Sequence, residues 1–357
     1  MARQTGTYSL ADLRENRFDN VSVHEFGMDT LTQVIQNDLA AHNAQIEEMV
    51  GDLAQPSADL VRIYGTGIDG QMIEVDEFGR GPTQKDVPGD TVGFPMRKYQ
   101  FPIGWTRDYL DIATVQDVAL AAETAEKAHL NAIRREIKKA LFLSANVSFV
   151  DYAATKTTLA VKRLLNADSA AIPPGPNGES FVAASHTHYT ARASTLANSD
   201  VTALITNVVE HGHAADVRIV INQADEAAMK ALTDFKAYVD VRLNPSGTAS
   251  DPRKQVDTLP VDNRPIGLFE GVEVWVKPWG IDNYWLCWDA GSMAKPLVMR
   301  ERPQATLRGL RLAGEIPTHP LLTRYMEAVF GFGVWTRTNG AILYIGATSW
   351  ADPTITS

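Results

Sequence analysis

The stretch TVQDVALAAETAEKAHLNAIRREIKKALFLSA, residues 114–145, decides the reading of this chain. Val118, Ala122, Ala125, His129, Ile133, Ile137, Leu141 and Ser144 recur at steps of three and four, which predicts one amphipathic helix over the whole stretch. Its charges run from Asp117, Glu123 and Glu126 to Arg134, Arg135, Lys138 and Lys139, the order that suits a helix dipole. At about 1.5 Å per residue this helix spans on the order of 45 Å, long enough to be the backbone of an elongated molecule.

Upstream, residues 29–54 show a second helical period, with Asp29 placed to cap its start and Pro56 just past its end. This helix carries Asp29, Asp38, Glu47, Glu48 and Asp52 and no Lys or Arg, so its polar face is acidic and suits a basic partner. Between the two helices the pattern changes to short β-like runs at 60–64, 71–75 and 99–105. Residues 79–90, which include Arg80 and Lys85, are polar and turn-rich. The stretch reads as a long two-stranded extension with an exposed tip. An isolated hairpin is marginal in water, so it is expected to lie on something else, such as another copy of the chain.

Downstream, the Pro- and Gly-rich segment 172–178 is a loop, and α/β alternation follows. The period predicts a helix over 200–211 capped by Asp200, a buried strand at 217–221, a helix over 223–235, strands at 272–276 and 284–288, and terminal strands within 328–346. Residues 243–257 read as a further loop. No internal repeat is visible.

Composition bounds the function. A chain of 357 residues with 45% hydrophobic and 21% charged residues is a folded protein of about two domains, or one large irregular one. A net charge of −10 disfavours a protein whose main task is gripping nucleic acid through phosphates. Cys287 is the sole cysteine, which excludes an intrachain disulfide and a thiolate metal cluster. The first residues lack the apolar run of a secretory signal, and no stretch approaches a membrane span, so a soluble protein made in the cytoplasm is expected.

No catalytic constellation emerges. Gly65-Thr66-Gly67-Ile68-Asp69-Gly70 has the spacing of a dinucleotide loop, but a β-like run follows where phosphate binding needs a helix N-terminus, so it is read as a hairpin turn. His186 with His188, and His211 with His213, are close pairs; either could give two nitrogen ligands to zinc, but each lacks a third near in sequence, and loop or helix-end hydrogen bonding is favoured. Cys287 lies between apolar neighbours and is expected to be an inert buried thiol. Arg300, Arg302, Arg308, Arg311, Arg324 and Arg337 read as a basic stripe, with the acidic helix of a neighbouring copy as its candidate partner. No cofactor and no metal is predicted.

The order of these parts resembles the major capsid protein of tailed double-stranded DNA bacteriophages, the α+β Hong Kong 97 fold. Gly104-Trp105-Thr106-Arg107-Asp108-Tyr109-Leu110-Asp111 is similar to the family's lead-in to its spine helix, residues 266–274 to its Gly-containing turn into a strand, and residues 330–341 to its closing strand. The resemblance implies an N-terminal arm over 1–57, an E-loop over 58–105, a peripheral domain over 106–199 and 300–340 with spine helix 114–145, and an axial domain over 200–299 and 341–357. It implies a shell subunit forming hexamers and pentamers around packaged double-stranded DNA, held by non-specific contact, with arm and E-loop lying on neighbouring subunits. A separate scaffolding protein, a portal protein and, in some members, a decoration protein are the implied partners. The implied location is the virion, assembled in a bacterial host's cytoplasm without a membrane. Inter-subunit contact candidates are Lys85, Arg80, Arg300, Arg302, Arg308, Arg311, Asp38, Glu47 and Glu48. Some members cross-link a Lys to an Asn; Lys85 and Asn339 are the residues to inspect, and no bond is predicted.

Besides a compact monomeric binding module, which the long extension disfavours, two alternatives remain. One is an encapsulin-like compartment around enzyme cargo, whose chains are typically shorter. The other is a metal-dependent hydrolase built on the histidine pairs, which leaves the first third of the chain unexplained.

Overall fold

A computed structural model describes residues 8–355 except 16–17, 19, 65–71, 73, 76, 78, 80, 82–88, 154–155, 194, 239–262 and 320. The N-terminal third contains α1 (Leu10–Leu13), α2 (Val23–Phe26), α3 (Met28–Gly51), β1 (Ala54–Ser57), β2 (Val61–Tyr64), β3 (Asp90–Gly93) and β4 (Arg97–Thr106). Next come α4 (Arg107–Ile112), α5 (Val115–Phe142), β5 (Val147–Asp151), β6 (Thr157–Val161), β7 (Tyr189–Arg192), α6 (Asn198–Val209), β8 (Val217–Ile221), α7 (Glu226–Lys230) and β9 (Phe235–Ala237). The last third is β10 (Arg264–Phe269), β11 (Val272–Val276), β12 (Tyr284–Asp289), β13 (Leu297–Glu301), β14 (Arg311–Thr318), β15 (Leu321–Val334) and β16 (Ala341–Ile345).

The long helix is α5. Thr114 caps it in a box with Asp117, whose carboxylate accepts the Thr114 backbone N–H at 3.0 Å. Its apolar stripe, including Val118, Ala122, Ala125, His129, Ile133, Ile137 and Leu141, is buried. Thr106 caps the preceding α4, accepting from the Tyr109 N–H at 3.1 Å.

Helix α3 forms as expected, but Asp29 does not cap it. Gly27, at φ 93°, ends α2 and caps α3 without a side chain, because the chain reverses between two helices and only glycine takes that dihedral freely. Asp200 likewise sits inside the first turn of α6, where it accepts the N–H of the N-cap Ala197 at 3.0 Å. The helix expected over 223–235 is shortened to a 3₁₀ turn and α7, because the chain must reach β9, which pairs with β10. Met72, Glu74 and Val75, the described residues of the strand expected at 71–75, are not in a strand.

Two main sheets organise the chain. A five-stranded sheet runs β1-β13-β15-β14, with β4 also paired along the long strand β15. A seven-stranded sheet runs β7-β16-β12-β8-β11-β10-β9, so β7 belongs to it although it precedes residue 200, and β13 starts the other sheet at Leu297. Helices α3 and α5 share one core with the five-stranded sheet, through Leu31, Val34, Ile35, Ile133, Met299, Phe330 and Phe332 among others. Helix α6 packs Val201, Leu204 and Val208 on the seven-stranded sheet.

The N-terminal arm, expected on neighbouring subunits, spends its apolar face on its own chain. Leu10, Leu13, Phe18 and Phe26 are buried in the α5 core, and β1 adds to β13 in parallel. Among the described residues no helix is long and apolar enough to cross a membrane.

Candidate functional site

The stem of the extension is a two-stranded hairpin, β2 on β3, with Val61 opposite Gly93 and Tyr64 opposite Asp90. Alternation along β2 sends Arg62 and Tyr64 inward and leaves Val61 and Ile63 outward, 47% and 60% exposed. The inward side chains meet arginine and tryptophan. Arg62 lies over the Trp335 ring at 4.5 Å, and the Tyr64 hydroxyl accepts from Arg337 Nη1 at 2.6 Å. Beside the stem lies a second hairpin, β5 on β6, whose Val147, Val150 and Tyr152 are also exposed. Arg80, Lys85 and the glycine-rich turn at 65–70 lie outside the described residues.

Arg337 is the centre of a buried knot. Its guanidinium donates to the Arg163 carbonyl at 2.6 Å, the Leu164 carbonyl at 3.2 Å, Asn166 Oδ1 at 2.8 Å and Asp168 Oδ1 at 3.2 Å, besides Tyr64. Burial alone would raise the Asp168 carboxyl, but Lys162, Arg337, the Ala170 N–H and Asn146 outweigh it and hold it down at about 2.

The arginines expected in a surface stripe are therefore largely internal. Arg300 is buried, paired with Asp151 and donating to the Phe94 carbonyl, both at 2.7 Å. Arg311 pairs with Glu327 at 2.9 Å, and Arg324 with Glu315 at 2.8 Å. Arg308 is exposed but donates to the Arg302 and Pro303 carbonyls, while Arg302 is half-buried. β13, β14 and β15 carry Arg300, Arg311 and Arg324 into the sheet, where each pairs with a carboxylate.

The acidic helix also meets cations of its own chain. Glu47 shares a cleft with Arg308 and Glu301, and Asp52 comes within 3.7 Å of Arg218. Glu48 is exposed. Asp38 is half-buried against Glu126 of α5, and burial followed by that carboxyl contact pushes Glu126 up to about 8. One turn on, His42 Nε2 lies 3.0 Å from His129 Nδ1, and burial lowers both imidazoles, His129 to about 3.

The histidine pairs do converge. His186 Nε2 lies 3.2 Å from His188 Nε2 and 3.0 Å from His211 Nε2, with Glu210 Oε1 at 3.5 Å. His213 stands apart and bonds Thr338 Oγ1 at 2.9 Å. The sequence showed each pair but not that the last turn of α6 folds back over the segment leading into β7. Burial pushes the Cys287 thiol up, in keeping with an inert residue. Asn339 is fully buried, with its amide donating to the Asp289 and Ala294 carbonyls, so it presents no free amide at a surface.

No protein-family model and no curated protein matches the chain. Solved structures do. A chain of Mycobacterium phage Patience superposes with a TM-score of 0.64 at 20% identity, covering 99% of this chain and 96% of that one. The capsid of a native GTA particle gives 0.48 at 15% identity, covering 84% and 90%. The SrpI encapsulin of Synechococcus elongatus gives 0.42 at 11% identity, covering 86% and 90%. The likeness to the phage chain extends over nearly the whole of both and establishes a shared fold. This chain therefore shares the α+β fold of that phage chain, in keeping with the order of parts read from its sequence.

Proposed function

We propose that this chain is a major capsid protein, a non-enzymatic subunit that assembles into hexamers and pentamers of a phage head enclosing double-stranded DNA. The observation that carries this reading is the likeness to the phage chain over 99% of this chain and 96% of that one. The exposed apolar residues beside the hairpin stem support it, because a shell subunit keeps such surface for its neighbours. In this reading residues 1–57 are the arm, 58–105 the E-loop, 106–199 and 300–340 the peripheral domain, and 200–299 with 341–357 the axial domain. Scaffolding and portal proteins are its partners, Arg80, Lys85, Arg302, Arg308 and Glu48 its contact candidates, and the virion its location. DNA inside is contained rather than gripped, which a net charge of −10 permits.

The test is negative-stain electron microscopy of the purified full chain, alone and with its scaffolding protein, with light scattering on the same samples. Rings, tubes or closed shells are expected. Removing residues 79–88 should leave a folded subunit that builds no stable shells; normal particles from that deletion would contradict the role given to the loop tip.

A further inference from the structure

We propose that His186, His188, His211 and Glu210 form a structural site for a divalent transition metal such as zinc, tying the segment that leads into β7 to the C-terminal end of α6. The inference stands on the side chains themselves and does not depend on the shell role.

Four potential ligand atoms, one from each residue, lie within 4.8 Å of one another. Ligands held tetrahedrally at about 2.0–2.1 Å from zinc are about 3.3 Å apart. The His186 Nε2 distances of 3.2 Å and 3.0 Å to His188 and His211 are close to that spacing. Glu210 Oε1, at 3.5 Å from His186 Nε2 and 3.9 Å from His211 Nε2, supplies the fourth corner.

Hydrogen bonding alone accounts poorly for the cluster. The fully buried His188 has Nδ1 2.6 Å from the Gly340 carbonyl oxygen, which can only accept. His188 therefore carries its proton on Nδ1, and its neutral ring turns a bare Nε2 lone pair toward the other two imidazoles. A ligating histidine is held in this way, its second nitrogen donating to a carbonyl. His186 Nε2 holds at most one proton yet meets two nitrogens, so one contact lacks a hydrogen bond of its own. Glu210 Oε1 is buried without a hydrogen-bond partner.

Three imidazoles and a carboxylate fill a tetrahedron, which leaves no place for a reactive water and marks the site as structural rather than hydrolytic. The Phe181 ring, 4.9 Å from His186 and 4.2 Å from His211 between centroids, covers it. Imidazole with carboxylate suits zinc, copper or nickel better than calcium or magnesium.

The experiment strips the full-length chain with a chelator and titrates it with zinc against a chromophoric zinc indicator, then repeats it with cobalt(II). About one equivalent per chain and the intense visible band of tetrahedral cobalt are expected. His186→Ala and His211→Ala, singly and together, should weaken zinc at least about tenfold, since loss of even an outer-shell partner of a metal site costs that much. Absence of the cobalt band in the unaltered chain, or zinc uptake unchanged in folded variants, overturns the site. Should the variants not fold, the cobalt spectrum of the unaltered chain decides.

Discussion

Arg300 and Asp151 form an ion pair with 4% and 0% of their side chains exposed. Breaking such a pair strands a charge away from water, so Arg300→Met or Asp151→Asn should each cost about 3–5 kcal/mol. The joint replacement Arg300→Met with Asp151→Leu should cost less than either alone, because nothing charged is left buried. Urea unfolding of the purified chain reads all three, and additive losses would show that the pairing itself matters little. Neither Arg300 nor Arg337 could be told from a solvated surface arginine in the sequence. Their acceptors lie far off along the chain, Asp151 for one and Tyr64 with Asp168 for the other, so only the closed sheets reveal them. The histidines are a middle case: spacing showed His186 with His188, while the third imidazole arrives only through the packing of α6.

At the scale of elements, the seam between α3 and α5 titrates from both sides. Glu126, raised to about 8 in the folded chain, stabilises fully below its unfolded value of 4.5, and that contribution is lost as pH climbs from 4.5 to about 8. His129, lowered to about 3, stabilises fully above 6.5, and loses its contribution as pH falls from 6.5 to about 3. Between 4.5 and 6.5 the two slopes oppose each other, so the seam is most stable there. Glu126→Gln should raise the thermal midpoint at pH 8 and leave it nearly unchanged at pH 4.5; an equal rise at both would sink the assignment. A second device is Gly331, where β15 passes so close to the Phe94-Pro95 segment that a Cβ would strike the Pro95 carbonyl oxygen. Gly331→Ala should destabilise by about 1–3 kcal/mol in denaturant unfolding. The helix α5 was legible because one period runs through its whole length, and the 223–235 segment was not, because pairing of β9 with β10 overrides a short helical pattern.

At the scale of the molecule, the sequence order of arm, hairpin, long helix and α/β segment could be read, but the strand order of the sheets could not. β16 pairs with β7 from about 150 residues away, and β15 is shared by three partners; no local period encodes such neighbours. What the single chain leaves outward is more informative for assembly than what it buries. Val61 and Ile63 on β2, and Val150 and Tyr152 at the neighbouring hairpin, expose apolar surface on elements whose opposite faces are already anchored, by Tyr64 on Arg337 and by Phe149 under Arg97. A charge there costs the folded subunit little, because these positions are in water, yet a charge without a partner inside an interface is costly. If the chain builds shells as proposed, Ile63→Asp and Tyr152→Asp should therefore keep the thermal midpoint of the isolated chain within a few degrees while shell yield by light scattering and electron microscopy falls sharply. Wild-type yields from both variants would show that this face looks onto solvent in the particle, and the interface would have to be sought along the exposed side of α3 around Glu48 instead.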